Sequence, residues 1–227
     1  MSRFRKLIFS LAALLVLAGT TTVKADTISV VGVDSGQFST ATVVCEFNSQ
    51  TNTFTFTITN TSAITQPGST STITGIGFDL PPQGNASASG LNGFTGSQAP
   101  SLSSDFDFSD ADLGNVSHGF NDAVLDFGFT TGPSGNFSGG SVNDGLLPGE
   151  SASFTVSGAA FAGFTEEQIC NAILLRFQNV PTAGGSGGSD VGAPGTPGSE
   201  VPEPSSILLL GSALVGLGGY ARRKFKR

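Results

Sequence analysis

Between Thr53 and Thr59 the chain reads Thr-Phe-Thr-Phe-Thr-Ile-Thr, polar and apolar in strict alternation. A two-residue period sends successive side chains to opposite faces of a strand, which turns Phe54, Phe56 and Ile58 toward a core and the threonines toward solvent. Short runs of similar character recur at Thr27–Val33, Ala41–Phe47, Ser71–Phe78, Asp122–Phe129, Ser151–Val156 and Ile173–Gln178. Gly, Pro, Asn, Asp and Ser separate them, as turns require. Together they predict an all-β fold, an antiparallel β-sandwich of about 7–9 short strands. One helix start stands out. Thr165 followed by Gln168 three residues later has the spacing of a capping box, and predicts a helix of one or two turns.

The pattern breaks at both ends. Arg3, Arg5 and Lys6 precede a nearly pure apolar run from Leu7 to Ala18, and small residues lead to a cleavage site between Ala25 and Asp26. Residues 1–25 therefore read as a secretory signal peptide. Leu17–Thr20 resembles a lipoprotein box, but Thr20 stands where the lipidated cysteine would be. At the other end, Pro181 opens a stretch of Gly, Pro and Ser with almost nothing able to pack. It predicts a flexible linker over 181–200, after an ectodomain of 26–180. Residues 201–227 hold the apolar run Ile207–Tyr220, short for a bilayer span and weakened as a helix by Gly211, Gly216, Gly218 and Gly219. The basic residues Arg222, Arg223, Lys224, Lys226 and Arg227 would keep that end in the cytoplasm. A short transmembrane helix that is a temporary stop explains this better than a permanent anchor.

Pro202-Glu203-Pro204, an apolar run and an arginine-rich end, in that order, resemble the PEP-CTERM sorting signal of Gram-negative bacteria. The resemblance covers the last 27 residues. It implies export through the Sec machinery, an inner-membrane precursor held by the C-terminal helix, and cleavage near Pro202, Glu203 and Pro204 by an exosortase. It further implies a destination at the cell surface or in a biofilm matrix, with exopolysaccharide as a partner. The β-rich stretches of the body also look like the ectodomains that often precede such tails.

Charge sharpens the picture. All 17 acids lie from Asp26 to Glu203, where Arg176 is the one basic residue, leaving that body at −16. Nucleic acid and other polyanions are repelled by such a surface, so nucleic-acid binding is excluded. The 19 phenylalanines argue against disorder despite this charge.

Few residues invite chemistry. Export makes a Cys45–Cys170 disulfide the natural expectation for the only two cysteines. His118 is the sole histidine and reads as a loop residue; no nucleophile elbow or zinc spacing accompanies it. Asp105, Asp107, Asp110 and Asp112 form the densest acidic stretch, with Phe106 and Phe108 on the opposite face. Oxygen ligands of this kind suit Ca2+, although the spacing is not that of an EF-hand and a solvated acidic face is the simpler account. The expectation is a non-enzymatic surface or matrix protein without a cofactor. The alternative is a Ca2+-dependent carbohydrate-binding or adhesive module held by its C-terminal anchor. Against it stand the absence of Trp and a single tyrosine, Tyr220, in the tail.

Overall fold

Among the described residues ten strands form one continuous antiparallel sheet in the order β5-β8-β3-β2-β1-β10-β9-β4-β7-β6. They are β1 (Asp26–Gly32), β2 (Gly36–Asn48), β3 (Thr53–Asn60), β4 (Thr72–Phe78) and β5 (Phe94–Gln98). The others are β6 (Asp107–Asp110), β7 (Phe127–Thr130), β8 (Ser151–Gly158), β9 (Ile173–Thr182) and β10 (Gly185–Pro194). The structure is a computed structural model. It describes residues 25–63, 68–82, 91–101, 104–110, 113–132, 136–182 and 185–195. The signal peptide up to Lys24, the sorting residues Pro202, Glu203 and Pro204, the apolar run and the basic residues 222–227 lie outside these.

The alternation in β3 is reproduced by its burial, with Phe54, Phe56 and Ile58 at 0–1% exposure. Ala41, Val43 and Cys45 of β2 and Ala152, Phe154 and Val156 of β8 face the same core. On the outer side Thr57 and Ser153, and Thr59 and Ser151, hydrogen-bond across the strands at 2.7 Å. Facing this half, β4 and β7 contribute Phe78, Phe127 and Phe129, and rings from the two halves meet edge-on or tilted. Burial of this many aromatic rings is the main source of stabilisation here.

Two separate sheets were the expectation; the sheet is instead one surface rolled nearly into a barrel. The element that joins its halves is β10, which pairs with β1 on one side and β9 on the other. The predicted linker is thereby corrected over Gly185–Pro194, and β9 itself runs on to Thr182. Glycines hid the strand by removing the apolar pattern that marks one, yet Asp190 and Val191 are fully buried within it. Strand β5, only 5 residues long, also escaped the pattern, whereas the two-faced acidic stretch does form a strand, β6, from Asp107. Asp122–Phe129 forms a strand only from Phe127, because a turn closes from Ala123 N–H to Phe120 and Leu125 packs on the outer face.

The two end strands of the sheet, β5 and β6, lie against each other. The ring of Phe108 rests on Gly96, where an added Cβ would stand 2.2 Å from the ring. Side chains complete the seam. Asp110 accepts the N–H groups of Gly93 (2.9 Å) and Phe94 (3.2 Å). Gln98 accepts the Phe106 N–H at 2.8 Å and donates to the Ser104 carbonyl at 3.1 Å. Edge strands otherwise template aggregation, and these side chains bridge the two edges, with the Phe94 N–H of β5 held by Asp110.

A second, smaller cluster of Leu113, Val116, Leu125, Phe137, Leu174 and Val191 covers the outer face of β9 and β10. The short helix α1 (Glu166–Cys170) begins with the expected reciprocal cap between Thr165 and Gln168. Its Glu166 accepts the Phe47 N–H at 2.7 Å, and its Cys170 lies at disulfide distance from Cys45 with Cα atoms 6.1 Å apart.

Candidate functional site

The turn after β1 is built around a buried carboxylate. Asp190 of β10 is fully buried, and its oxygens accept the N–H groups of Asp34 (3.2 Å), Ser35 (2.9 Å) and Val191 (2.8 Å), and the Ser35 hydroxyl. Such saturation is what makes a buried carboxylate tolerable. Gly32 is required beside it, since a Cβ there would meet Asp190 Oδ2 at 2.1 Å. Across the sheet Arg176 of β9 feels the Asp190 charge and donates to Ser117 Oγ at 3.1 Å. Burial lowers the guanidinium pKa, and the pull of Asp190 opposes that shift.

His118 completes the site. It sits in the left-handed region at φ 58°, an uncommon conformation for a residue with a Cβ. Its Nδ1 lies 2.5 Å from Asp34 Oδ2 and its Nε2 3.3 Å from Ser189 Oγ. Asp34, His118 and Asp190 each place one donor atom within 4.8 Å of the other two. A groove of about 480 Å3, lined by Asp34, Ser35, Phe38, Val180, Pro181 and Ser189 among others, opens beside them. In the sequence His118 reads as an isolated loop residue, and nothing marks out Asp34, Ser189 or Asp190. Their separations along the chain, 84 residues from Asp34 to His118 and 71 from His118 to Ser189, carry no local signal.

The carboxylate–imidazole–hydroxyl order is that of a proton relay. Ser189 nevertheless lies within β10, paired with Gln178, rather than on an exposed elbow.

The acidic stretch behaves differently. Asp105 and Asp107 are exposed, Phe106 is buried and Phe108 half-buried, so the two faces fall as expected. Asp110 is engaged by β5. Among the described residues these three are not gathered into one metal-sized group, and Asp112 lies outside the described residues. A groove of about 490 Å3 opens beside Asp105, with Gln98, Ser101, Asn143 and Asp144 in its wall.

A further pair of carboxylates sits at the end of β4. Asp126 accepts the N–H groups of Leu80 at 2.7 Å and of Leu91. Burial pushes its carboxyl above the ordinary 3.8, the two N–H groups pull it back, and the charge of Asp79 adds to the rise. Asp79 is likewise raised by burial, offset in part by a backbone hydrogen bond from Val124. A raised folded pKa means that the folded protein keeps protons which the unfolded chain has released. This contribution to stability is complete below 3.8 and is lost as pH rises through the folded values. The melting temperature should therefore fall across that window, and Asp79→Asn should flatten the fall. An equally steep profile in the variant would exclude Asp79 as a source of the fall.

Comparison with known proteins gives one match. The family profile of the PEP-CTERM protein-sorting motif covers residues 200–224. No curated protein and no solved structure matches the chain.

Proposed function

We propose that this exported protein, which carries a PEP-CTERM sorting motif and passes through a membrane-anchored precursor targeted to exosortase, is a non-enzymatic component of the cell surface or extracellular matrix. The match over residues 200–224 carries the reading. Three features support it. A rolled sheet whose two end strands lie against each other suits a protein that must persist outside the cell, the cysteine pair suits an oxidising compartment, and a body of −16 stays soluble and self-repelling. In this reading the ectodomain folds outside the inner membrane while the apolar run stalls in it, and cleavage near Pro202-Glu203-Pro204 then frees the body.

A second reading, a carbohydrate-binding module, is favoured by the groove beside Asp105. Gln98, Ser101, Asn143 and Asp144 offer the donors and acceptors that sugar hydroxyls need. Most phenylalanines are in the core, which leaves few aromatic faces for a sugar to stack on.

The test is a pulse-chase of tagged precursor in hosts with and without exosortase. The tail should be lost only where the enzyme is present. Glu203→Ala should accumulate as membrane-bound precursor, and neutralising the basic residues 222–227 should let the tail slip through uncut. Protein still ending at Arg227 in the membrane of the competent host would make the tail an ordinary anchor, and the proposal would fail.

A further inference from the structure

We propose that Asp34, His118 and Asp190 bind one divalent cation of the zinc class, which clasps β10 to the turn between β1 and β2. The body has one histidine and many scattered acids. Among the described residues, the single group of three able to share a metal includes that histidine, and its members come from three distant parts of the chain. A site made by tertiary folding is a different matter from a run of neighbouring surface aspartates.

The donor set selects the metal. Calcium and magnesium prefer shells made of oxygen, whereas an imidazole nitrogen beside two carboxylates suits zinc and its transition-metal neighbours. Zinc–ligand bonds of about 2.0–2.2 Å place tetrahedral ligands roughly 3.3–3.5 Å apart. The three donor atoms, all within 4.8 Å of one another, reach that arrangement through small side-chain rotations. The 2.5 Å pair of His118 Nδ1 and Asp34 Oδ2 opens slightly as the ion enters between them.

Outer contacts already hold the ligands. Ser189 Oγ stands against His118 Nε2 and leaves Nδ1 as the ligating atom, while backbone N–H groups fix the Asp190 carboxylate. Such supports orient metal ligands before the ion arrives. The ion replaces the Ser35 hydroxyl as a partner of Asp190 Oδ2. Among the described residues Arg176 is the one cation facing Asp190; two carboxylates against its single charge leave the site negative. Asp34 is 60% exposed and His118 21%, so the site is open to solvent, and the adjoining groove has room for water as a further ligand.

The consequence falls on β10. This glycine-rich strand pairs with β1 at only three positions, Val30, Val31 and Gly32. It is also the last of the described strands before the sorting tail. An ion bridging Asp190 to Asp34 and His118 adds a cross-link where the ladder is shortest, and whatever binds only the folded state stabilises it.

The experiment uses the full chain in detergent, stripped with a chelator and titrated with ZnCl2. Parallel arms receive CaCl2 and MgCl2, with NaCl matching ionic strength. Calorimetry should show one zinc per chain. The melting temperature should rise by about 5–10 °C at a hundredfold excess over the dissociation constant. Amide exchange in β10 should slow. Calcium and magnesium should do no more than NaCl. His118→Gln and Asp34→Asn change partly exposed side chains, so the fold should persist in both while zinc affinity falls at least tenfold. No saturable zinc binding, equal shifts with calcium and magnesium, or wild-type affinity in both variants would overturn the proposal.

Discussion

Breaking the bond between Cys45 and Cys170 should cost the folded protein about 4–5 kcal/mol, on the chain-entropy account of a cross-link. The two residues are 125 positions apart, so the bond removes much of the freedom of the unfolded chain. Both are buried, at 0% and 1% exposure, and reduction leaves two thiols facing the core without forcing water into it. The large term therefore lies in the unfolded state. For a domain of this size the loss is a major part of a total of about 5–15 kcal/mol. The melting temperature of protein recovered after export should drop by roughly 10–15 °C on reduction. The Cys45→Ala, Cys170→Ala double variant should match the reduced protein. Two freely alkylatable thiols in the exported protein would reject the bond outright. Cytoplasmic protein should lack the bond, because thiols stay reduced there. Full stability would then arise only after export, while the tail still holds the precursor in the membrane.

What the sequence disclosed, and what it hid, follows from where the information sits. β3 was legible because Thr53–Thr59 encodes its two faces in its own alternation, and burial follows that alternation residue by residue. The helix start was legible because Thr165 and Gln168 answer each other across one turn. β10 was hidden because its place is set by two neighbouring ladders and not by its own side chains. A segment rich in glycine reads as a linker whenever its partners are out of view. The site around His118 was hidden for a similar reason. Pairing of β1 with β10 sets the turn after β1 beside Ser189 and Asp190, and the loop holding His118 folds over the outer face of β9 and β10. The acidic stretch misled in the opposite direction. Asp110 belongs to a chemically suggestive run, yet its oxygens hold the N–H groups of β5 and close the seam. Density of a residue type along the chain does not reveal what each member faces.

Phe56→Ala should be the most damaging single truncation in the core, costing about 3–5 kcal/mol. Phe56 is 1% exposed and touches rings from both halves of the rolled sheet. On its own half it stacks with Phe54 at 5.2 Å and Phe154 at 5.1 Å. Across the core it meets Phe78 at 5.2 Å and Phe129 at 6.0 Å, both edge-on. Removing the ring deletes apolar burial, leaves a cavity that four surrounding rings cannot readily fill, and loosens the contact between the halves. Phe108, half-buried over Gly96 at the seam, gives the comparison. Phe108→Ala should cost clearly less, because solvent and β5 can close over the gap. Denaturant unfolding measures both, and the slope should stay constant if only stability changes. Phe56 also lies opposite Cys45 in the β2–β3 register, so its loss and reduction of the disulfide act on adjoining positions. Their effects should depart from additivity, and a cycle of Phe56→Ala with and without reductant measures by how much. Losing both should consume most of the stability and leave the reduced variant largely unfolded at 37 °C. A loss below about 1 kcal/mol for Phe56→Ala alone would mean that the two halves are not close-packed through this ring, and the rolled sheet would have to be held together mainly by its backbone ladders and the cross-link.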